Sequence, residues 1–244
     1  MEILSLSKLK KPYMKHLISI ALLLALLWPL QAQVNVSSKS PSSAFGSGMD
    51  LFTDVWMNLP AGIEARTINQ GMNFYTTYSN PIGKSPFALS VGLSLGAHNL
   101  YSNASLESDT SGSFFVKIPS TDLAGKGEKI EYKRNKLVLA YLELPLEIVL
   151  RTEKGLSASL GVKAGLLLNG HTKYKGDDPM GSGTAIKIKR GDLPNLESYR
   201  LSGIVRLGYK WVTLYGGYAL TPAFKEGLGP DIYPVSVGIS LRPN

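Results

Sequence analysis

Cysteine is absent from the 244 residues. That excludes a disulfide framework, a thiolate zinc site and a cysteine nucleophile. Histidine is scarce: His16, His98 and His171 are the only three, too few for a histidine-rich metal centre. Charged residues make up 18% of the chain, against about 25% in soluble domains. The longest uncharged apolar run, residues 17–30, falls short of the roughly 20 residues that a membrane-spanning helix needs. No H-E-x-x-H, phosphate-binding or dinucleotide motif occurs, so the usual signatures of zinc peptidases and nucleotide enzymes are missing.

What is present begins with a targeting pattern. Lys8, Lys10, Lys11 and Lys15 precede the apolar run LISIALLLALLWPL, and Ala32 follows it. A basic start, a short greasy core and a small residue read as a signal peptide over 1–32, cut before Gln33. No cysteine stands at the cut, so a lipoprotein is not expected. Removing four lysines and one glutamate from a chain of charge +8 leaves +5. That surplus does not call for nucleic acid, which an exported protein rarely meets. Residues 33–43, rich in serine, read as a flexible lead-in.

From 44 to 244 the sequence alternates with period two, the mark of strands with two different faces. In 137–150 the even positions Val138, Ala140, Leu142, Leu144, Leu146, Ile148 and Leu150 are all apolar. After a turn at 152–155 the apolar set is Leu156, Ala158, Leu160, Val162, Ala164, Leu166 and Leu168. The same pattern runs through 87–97, 201–209, 212–220 and 233–241. The opposite faces carry glycine, serine and isolated charges. A soluble barrel would also alternate, but the apolar faces here are nearly free of charge over some ten residues. Short connections at 80–85, 152–155 and 209–210 also alternate with long ones at 103–129, 173–196 and 222–231. Both features mark an outer-membrane barrel with short periplasmic turns and long external loops. Seven strands are readable, at 66–79, 86–102, 130–151, 155–172, 197–208, 211–221 and 232–241. An upward strand must precede them, with 44–52 the candidate and 53–65 the first external loop. The expected fold is all-β, an eight-stranded antiparallel transmembrane up-and-down barrel over 44–244. The loop 103–129 is expected to contribute little to any core.

Chemistry is sparse in this pattern. His98 lies on an inward face near the outer rim and His171 at the top of a long strand. Nothing in the sequence places a serine and an acid beside either, so no catalytic residue and no enzyme activity are expected. Asp177 and Asp178 are too few oxygens for a calcium site, and no metal or cofactor is expected. Glu143, Glu147, Lys163, Arg200 and Arg206 all fall on inward faces. A narrow eight-stranded barrel is filled by its side chains, so these five read as a lumen charge network. Glu143 and Glu147 are about 13 Å apart along a strand, farther than the roughly 5–9.5 Å of glycosidase carboxylates. The turn at 152–155 allows two registers, with opposed residue numbers summing to 306 or 308. Either brings Lys163 to a glutamate. Lys173, Lys175, Lys187, Lys189 and Arg190 lie in an external loop, where a surface glycolipid or a protein is the possible partner. Outer-membrane lipid is the obligatory one.

The segment YLELPLEIVLR (141–151) resembles a strand of the PorT-like outer-membrane β-barrel family of Bacteroidota. TINQGMNFY (67–75), HNLYS (98–102) and GPDIYPVSVGISL (229–241) are more loosely similar. The resemblance implies an eight-stranded outer-membrane barrel. It also implies a link, in some relatives, to surface secretion, and it transfers no catalytic residue. Two roles follow as expectations: a structural or interaction barrel that presents loops at the surface, or a transport or secretion-accessory component.

Overall fold

A computed structural model describes residues 44–191 and 193–242. The expected signal peptide and lead-in lie outside the described residues. Eleven strands follow in order: β1 (Ala44–Met57), β2 (Gln70–Pro81), β3 (Phe87–Tyr101), β4 (Ala104–Asp109), β5 (Gly112–Lys117), β6 (Tyr132–Arg151), β7 (Leu156–Asp177), β8 (Ala185–Arg190), β9 (Tyr199–Tyr209), β10 (Val212–Ala219) and β11 (Tyr233–Leu241). Eight of them form one closed antiparallel barrel. Each pairs with its neighbour around the ring β1-β2-β3-β6-β7-β9-β10-β11, and β11 returns to β1. Closure leaves no barrel strand with an unpaired edge, which is what a sheet in hydrocarbon requires.

The alternation sets which face meets lipid. Leu144, Leu146, Ile148, Leu160, Val162, Leu166 and Leu168 are exposed, while Glu143, Glu147, Val149 and Lys163 are buried. Aromatic residues border the outward band. Phe45, Tyr78, Phe87, Tyr209 and Trp211 lie toward the short turns, and Tyr199 and Tyr218 toward the long loops; all are exposed. Tyr199 and Tyr209 are the two ends of β9, about 33 Å apart along a strand. At the usual barrel tilt that gives about 25 Å of height, the thickness of an outer-membrane apolar band.

The turn after β6 fixes the register. Gly155 takes φ +85°, the left-handed position of a three-residue hairpin loop. Thr152 N donates to Leu156 O at 2.9 Å, and Gly155 N to Thr152 O at 3.0 Å. Opposed residues on β6 and β7 then sum to 308: Pro145 faces Lys163, Glu143 faces Gly165 and Glu147 faces Gly161. The register shifts between Ala140 and Tyr141, where Ala140 pairs with Asn169 and Tyr141 with Leu167. The extra residue is Leu168, and beyond it the inward side of β7 changes from odd to even numbers. Tyr174 is buried above this bulge, whereas Lys175 is exposed.

Three expectations need correction. β1 runs to Met57, so 53–57 is strand and not external loop. Two acids four residues apart, followed by Asn-Leu-Pro, had weakened the strand signal there. The stretch 103–129 contains the β4–β5 hairpin, which contributes buried Leu106 and half-buried Phe115 to the main apolar cluster. Its turn is closed locally: Asp109 Oδ1 accepts from Ser111 N at 2.7 Å and from Gly112 N at 3.2 Å. The Ser111 hydroxyl and backbone hold the Asp109 carboxyl below its ordinary value. Finally, 173–196 is not all loop: β7 continues to Asp177, and β8 pairs with its end.

Candidate functional site: the filled lumen and the external platform

The interior divides into two layers. Toward the long loops sits an apolar cluster of Trp56, Leu100, Leu106, Leu137, Leu139 and Phe224 with its neighbours. Phe224 and Leu100 are fully buried. Phe224 comes from the β10–β11 loop and meets Phe115 of β5 edge-on, with ring centroids 6.3 Å apart. Trp56 donates from Nε1 to Asn99 O at 3.0 Å, so its one polar atom is satisfied. Loops fold inward here because they supply apolar side chains that fill the barrel mouth.

Below that layer the lumen is ionic, and the sequence makes room for it. Glu143 stands between Ser94 of β3 and Gly165 of β7, and Glu147 between Ser90 and Gly161. A Cβ at Gly161 would sit 2.8 Å from Glu147 Cγ and 2.1 Å from Leu146 O. One at Gly96 would sit 2.9 Å from Glu143 Oε2. Small neighbours on both sides let each carboxylate lie across the lumen.

The structure brings Lys163 to Glu143, with Nζ 2.8 Å from Oε2. Ser94 Oγ donates to the same oxygen at 3.2 Å. Glu147 belongs to a different group. Arg206 Nη1 donates to Glu147 Oε1, and Ser159 Oγ donates to Oε2 at 2.6 Å. Arg206 Nη2 reaches Asp50 Oδ2 at 2.9 Å. The Arg206 guanidinium also lies over the rings of Tyr75 and Tyr215, 5.0 and 5.1 Å from their centroids. Arg200 forms no ion pair within 4 Å among the described residues. Its guanidinium sits 5.0 Å over the Tyr141 ring, and Nε donates to Ser202 Oγ at 3.0 Å. The five residues, joined by Asp50, thus form two centres, Glu143–Lys163 and Asp50–Arg206–Glu147, with Arg200 beside the first.

The sequence reading missed Asp50 and Asp54. Both are fully buried. Asp54 Oδ2 lies 2.9 Å from His98 Nδ1, and Asp54 Oδ1 accepts from Ser236 Oγ at 2.6 Å. His98 is therefore not a rim residue but fully enclosed, packed near Phe52 and Tyr141. A serine, an acid and a histidine do meet here, contrary to expectation. Their order is wrong for nucleophilic catalysis, because the hydroxyl serves the carboxylate and not the imidazole. The signal for Asp50 and Asp54 was available: both have even numbers on one strand, in phase with Gly46, Gly48 and Trp56.

Neither end of the ionic layer is a wide opening. At the short-turn end a recess of about 370 Å³ reaches inward as far as Arg206 and Ser159. At the long-loop end the apolar cluster covers the ions.

Outside the barrel, β4–β5 and the β7–β8 extension border a pocket of about 310 Å³. Leu106, Ile118, Tyr174, Ile186, Leu123 and Met180 contribute to its lining. Arg190 turns to this side and donates from Nη1 to Glu107 Oε1 and Oε2 at 2.9 and 2.8 Å. Asp177 and Asp178 accept from backbone: Oδ2 of the first from Glu131 N at 2.9 Å, Oδ1 of the second from Met180 N at 3.0 Å. Hydrogen bonds from Met180 N and Ser182 hold the Asp178 carboxyl below its ordinary value. Among the described residues no group of three or more His, Asp or Glu is placed to hold a metal ion. His171 lies on the outward side of β7, with Nδ1 2.8 Å from Asn169 Oδ1.

No curated protein matches the chain. A family model described as the outer membrane protein β-barrel domain matches residues 30–225, most of the chain and seven of the eight barrel strands, all but β11. The chain belongs to that outer-membrane β-barrel family, and the protein is an integral barrel of the outer membrane.

Proposed function

We propose that this barrel acts through its external end, as a structural or interaction protein with a side-chain-filled lumen, and that it neither catalyses a reaction nor conducts solute. The observation that carries the reading is the two-layer interior: Phe224 and its apolar neighbours lie over a cross-linked ionic layer. An aqueous pore would need both layers opened, and ion pairs taken apart in a dry interior cost several kcal/mol. The loop end, by contrast, carries folded structure well beyond what joining strands requires. The partner is a surface glycolipid or a protein held on that platform.

Planar-bilayer recording on the refolded barrel tests this reading. No stepwise conductance is expected. A sustained open channel, abolished by bulky substitutions at lumen positions, overturns it. The likeness of 141–151 to PorT-like barrels favours a second reading, an accessory to a secretion system. Stoichiometric co-purification with a secretion component in mild detergent distinguishes it from a solitary barrel. Residues 1–32 we assign as a cleaved signal peptide. N-terminal sequencing of the membrane-embedded protein is expected to start near Gln33, and recovery of Met1 overturns that assignment.

A further inference from the structure

The strand register above the β7 bulge assembles a feature that no single strand reveals. Lys136 of β6 faces Lys173 of β7, which faces Lys189 of β8. One step farther out, Arg134 faces Lys175, which faces Lys187. The six cations form two rows across three strands. All lie on the outward side, opposite Tyr174 and Ile186, which line the pocket. Adjacent strands are about 4.8 Å apart and alternate residues about 6.7 Å apart, so the grid measures about 10 by 7 Å.

Such a grid is unfavourable by itself. Like charges directly opposed across strands destabilise a sheet. Four of the contacts within the grid are of that kind, and among the described residues none of the six has a carboxylate within ion-pair distance. Arg190, next in sequence, differs in being held by Glu107 on the other face. The field is felt locally. Partial desolvation, then Arg134, Lys187, Lys136 and Lys189, push the Lys173 ammonium below its ordinary value. Desolvation, then Lys189, Lys136 and Lys173, do the same to the His171 imidazole.

We propose that the Lys136–Lys173–Lys189 and Arg134–Lys175–Lys187 rows bind the phosphates of a phosphorylated glycolipid in the outer leaflet. Height selects this occupant. The exposed apolar series on β7 ends at Leu168, and Lys173 is five residues farther, about 16 Å along the strand. At barrel tilt that is about 12 Å above the hydrocarbon edge. The interfacial layer of a phospholipid bilayer adds only about 5–7 Å on each side, so a phospholipid phosphate stays below the grid. A phosphorylated sugar headgroup is thick enough to reach both rows. The platform is the one the proposed function uses, and the glycolipid assignment rests on that reading only for which end acts. A conducting lumen would overturn the closed-barrel reading and leave the grid untouched.

The test uses the full mature chain and the fourfold variant Lys173→Gln, Lys175→Gln, Lys187→Gln, Lys189→Gln. Both are reconstituted in nanodiscs with bis-phosphorylated lipid A, with lipid A from which the phosphates have been removed, or with phosphatidylglycerol. Bound lipid is counted by native mass spectrometry after release into detergent. The wild type is expected to retain phosphorylated lipid A at least tenfold better than the variant. It is also expected to lose that advantage with the dephosphorylated lipid and in high salt, which screens exposed charge. In glycolipid-free detergent the variant is expected to unfold at the same or a higher temperature than the wild type, since mutual repulsion has been removed. This also shows that the variant folds. Equal retention by both proteins overturns the proposal, as does equal retention of phosphatidylglycerol and lipid A by the wild type. A variant that is less stable in glycolipid-free detergent overturns the argument from repulsion.

Discussion

Replacing Lys163 with methionine tests whether the lumen ions act as pairs. Nζ of Lys163 lies 2.8 Å from Glu143 Oε2, and both side chains are almost fully buried. At an effective dielectric constant of about 20 the gross attraction is about 6 kcal/mol. Desolvating both ions offsets most of that, so the pair's net contribution is small. The larger effect is what one partner suffers alone. Removing Lys163 leaves Glu143 with Ser94 and the field of Arg200, and stranding a buried charge typically costs about 3–5 kcal/mol. Because Arg200 remains beside Glu143, the expected loss is near the lower figure, about 3 kcal/mol. Adding Glu143→Gln removes the stranded charge and is expected to restore about 2 kcal/mol. Adding Glu147→Gln instead is expected to restore nothing, because Glu147 belongs to Arg206 and Asp50. Urea titration of the refolded barrel in lipid vesicles, read by heat-modifiable migration and tryptophan fluorescence, gives the four corners of each cycle. Additive losses for Lys163 and Glu143 would refute the pairing, since residues in contact should show an interaction term. Rescue by Glu147→Gln would refute the division of the lumen into two centres.

Two further outcomes follow from the barrel wall. Leu160→Arg puts a charge against hydrocarbon and is expected to cost about 2–4 kcal/mol, whereas Ser159→Arg crowds the lumen beside Glu147 and Arg206; NMR contacts from detergent acyl chains should appear at Leu156, Ala158 and Leu160, and contacts at Ser157 and Ser159 instead would mean inverted faces. Gly238→Ala would place Cβ 2.0 Å from Leu51 O and 2.5 Å from Phe52 Cα, backbone of the strand that closes the barrel, and is expected to cost more than about 1 kcal/mol; Gly203→Ala meets nothing within 4 Å and is expected to be neutral or slightly stabilising in the same urea titration.

The barrel was legible because its rule is local. A membrane strand must alternate, and each strand declares this within about ten residues. The eight-strand count came from the alternation of short and long connections and from the direction in which the first readable strand had to run. Elements outside the membrane obey no such rule. β4 and β5 have six residues each and bury only a few side chains apiece, so their alternation is too brief to separate from polar loop. The end of β7 was hidden by the bulge at Leu168, after which lysine and glycine follow where leucine had been.

The lumen shows where local reading stops. Alternation placed Glu143, Glu147, Lys163, Arg200 and Arg206 on inward faces, and hairpin register limited Lys163 to the glutamates of β6. Which glutamate it meets depends on Ser94 and Gly165, which shape the space around Glu143, and on a rival cation for Glu147. That rival, Arg206, also holds Asp50, 156 residues away in sequence. A contact across the lumen depends on strand number and tilt together, which no single hairpin encodes. The same limit explains the basic grid. Lys173 and Lys189, or Lys175 and Lys187, are unremarkable in a loop. They become two rows of a charged surface only when β8 folds back on β7 in one register. Pairing six cations without an acid is a poor way to stabilise a sheet, so their arrangement argues for a counter-anion supplied from outside the chain.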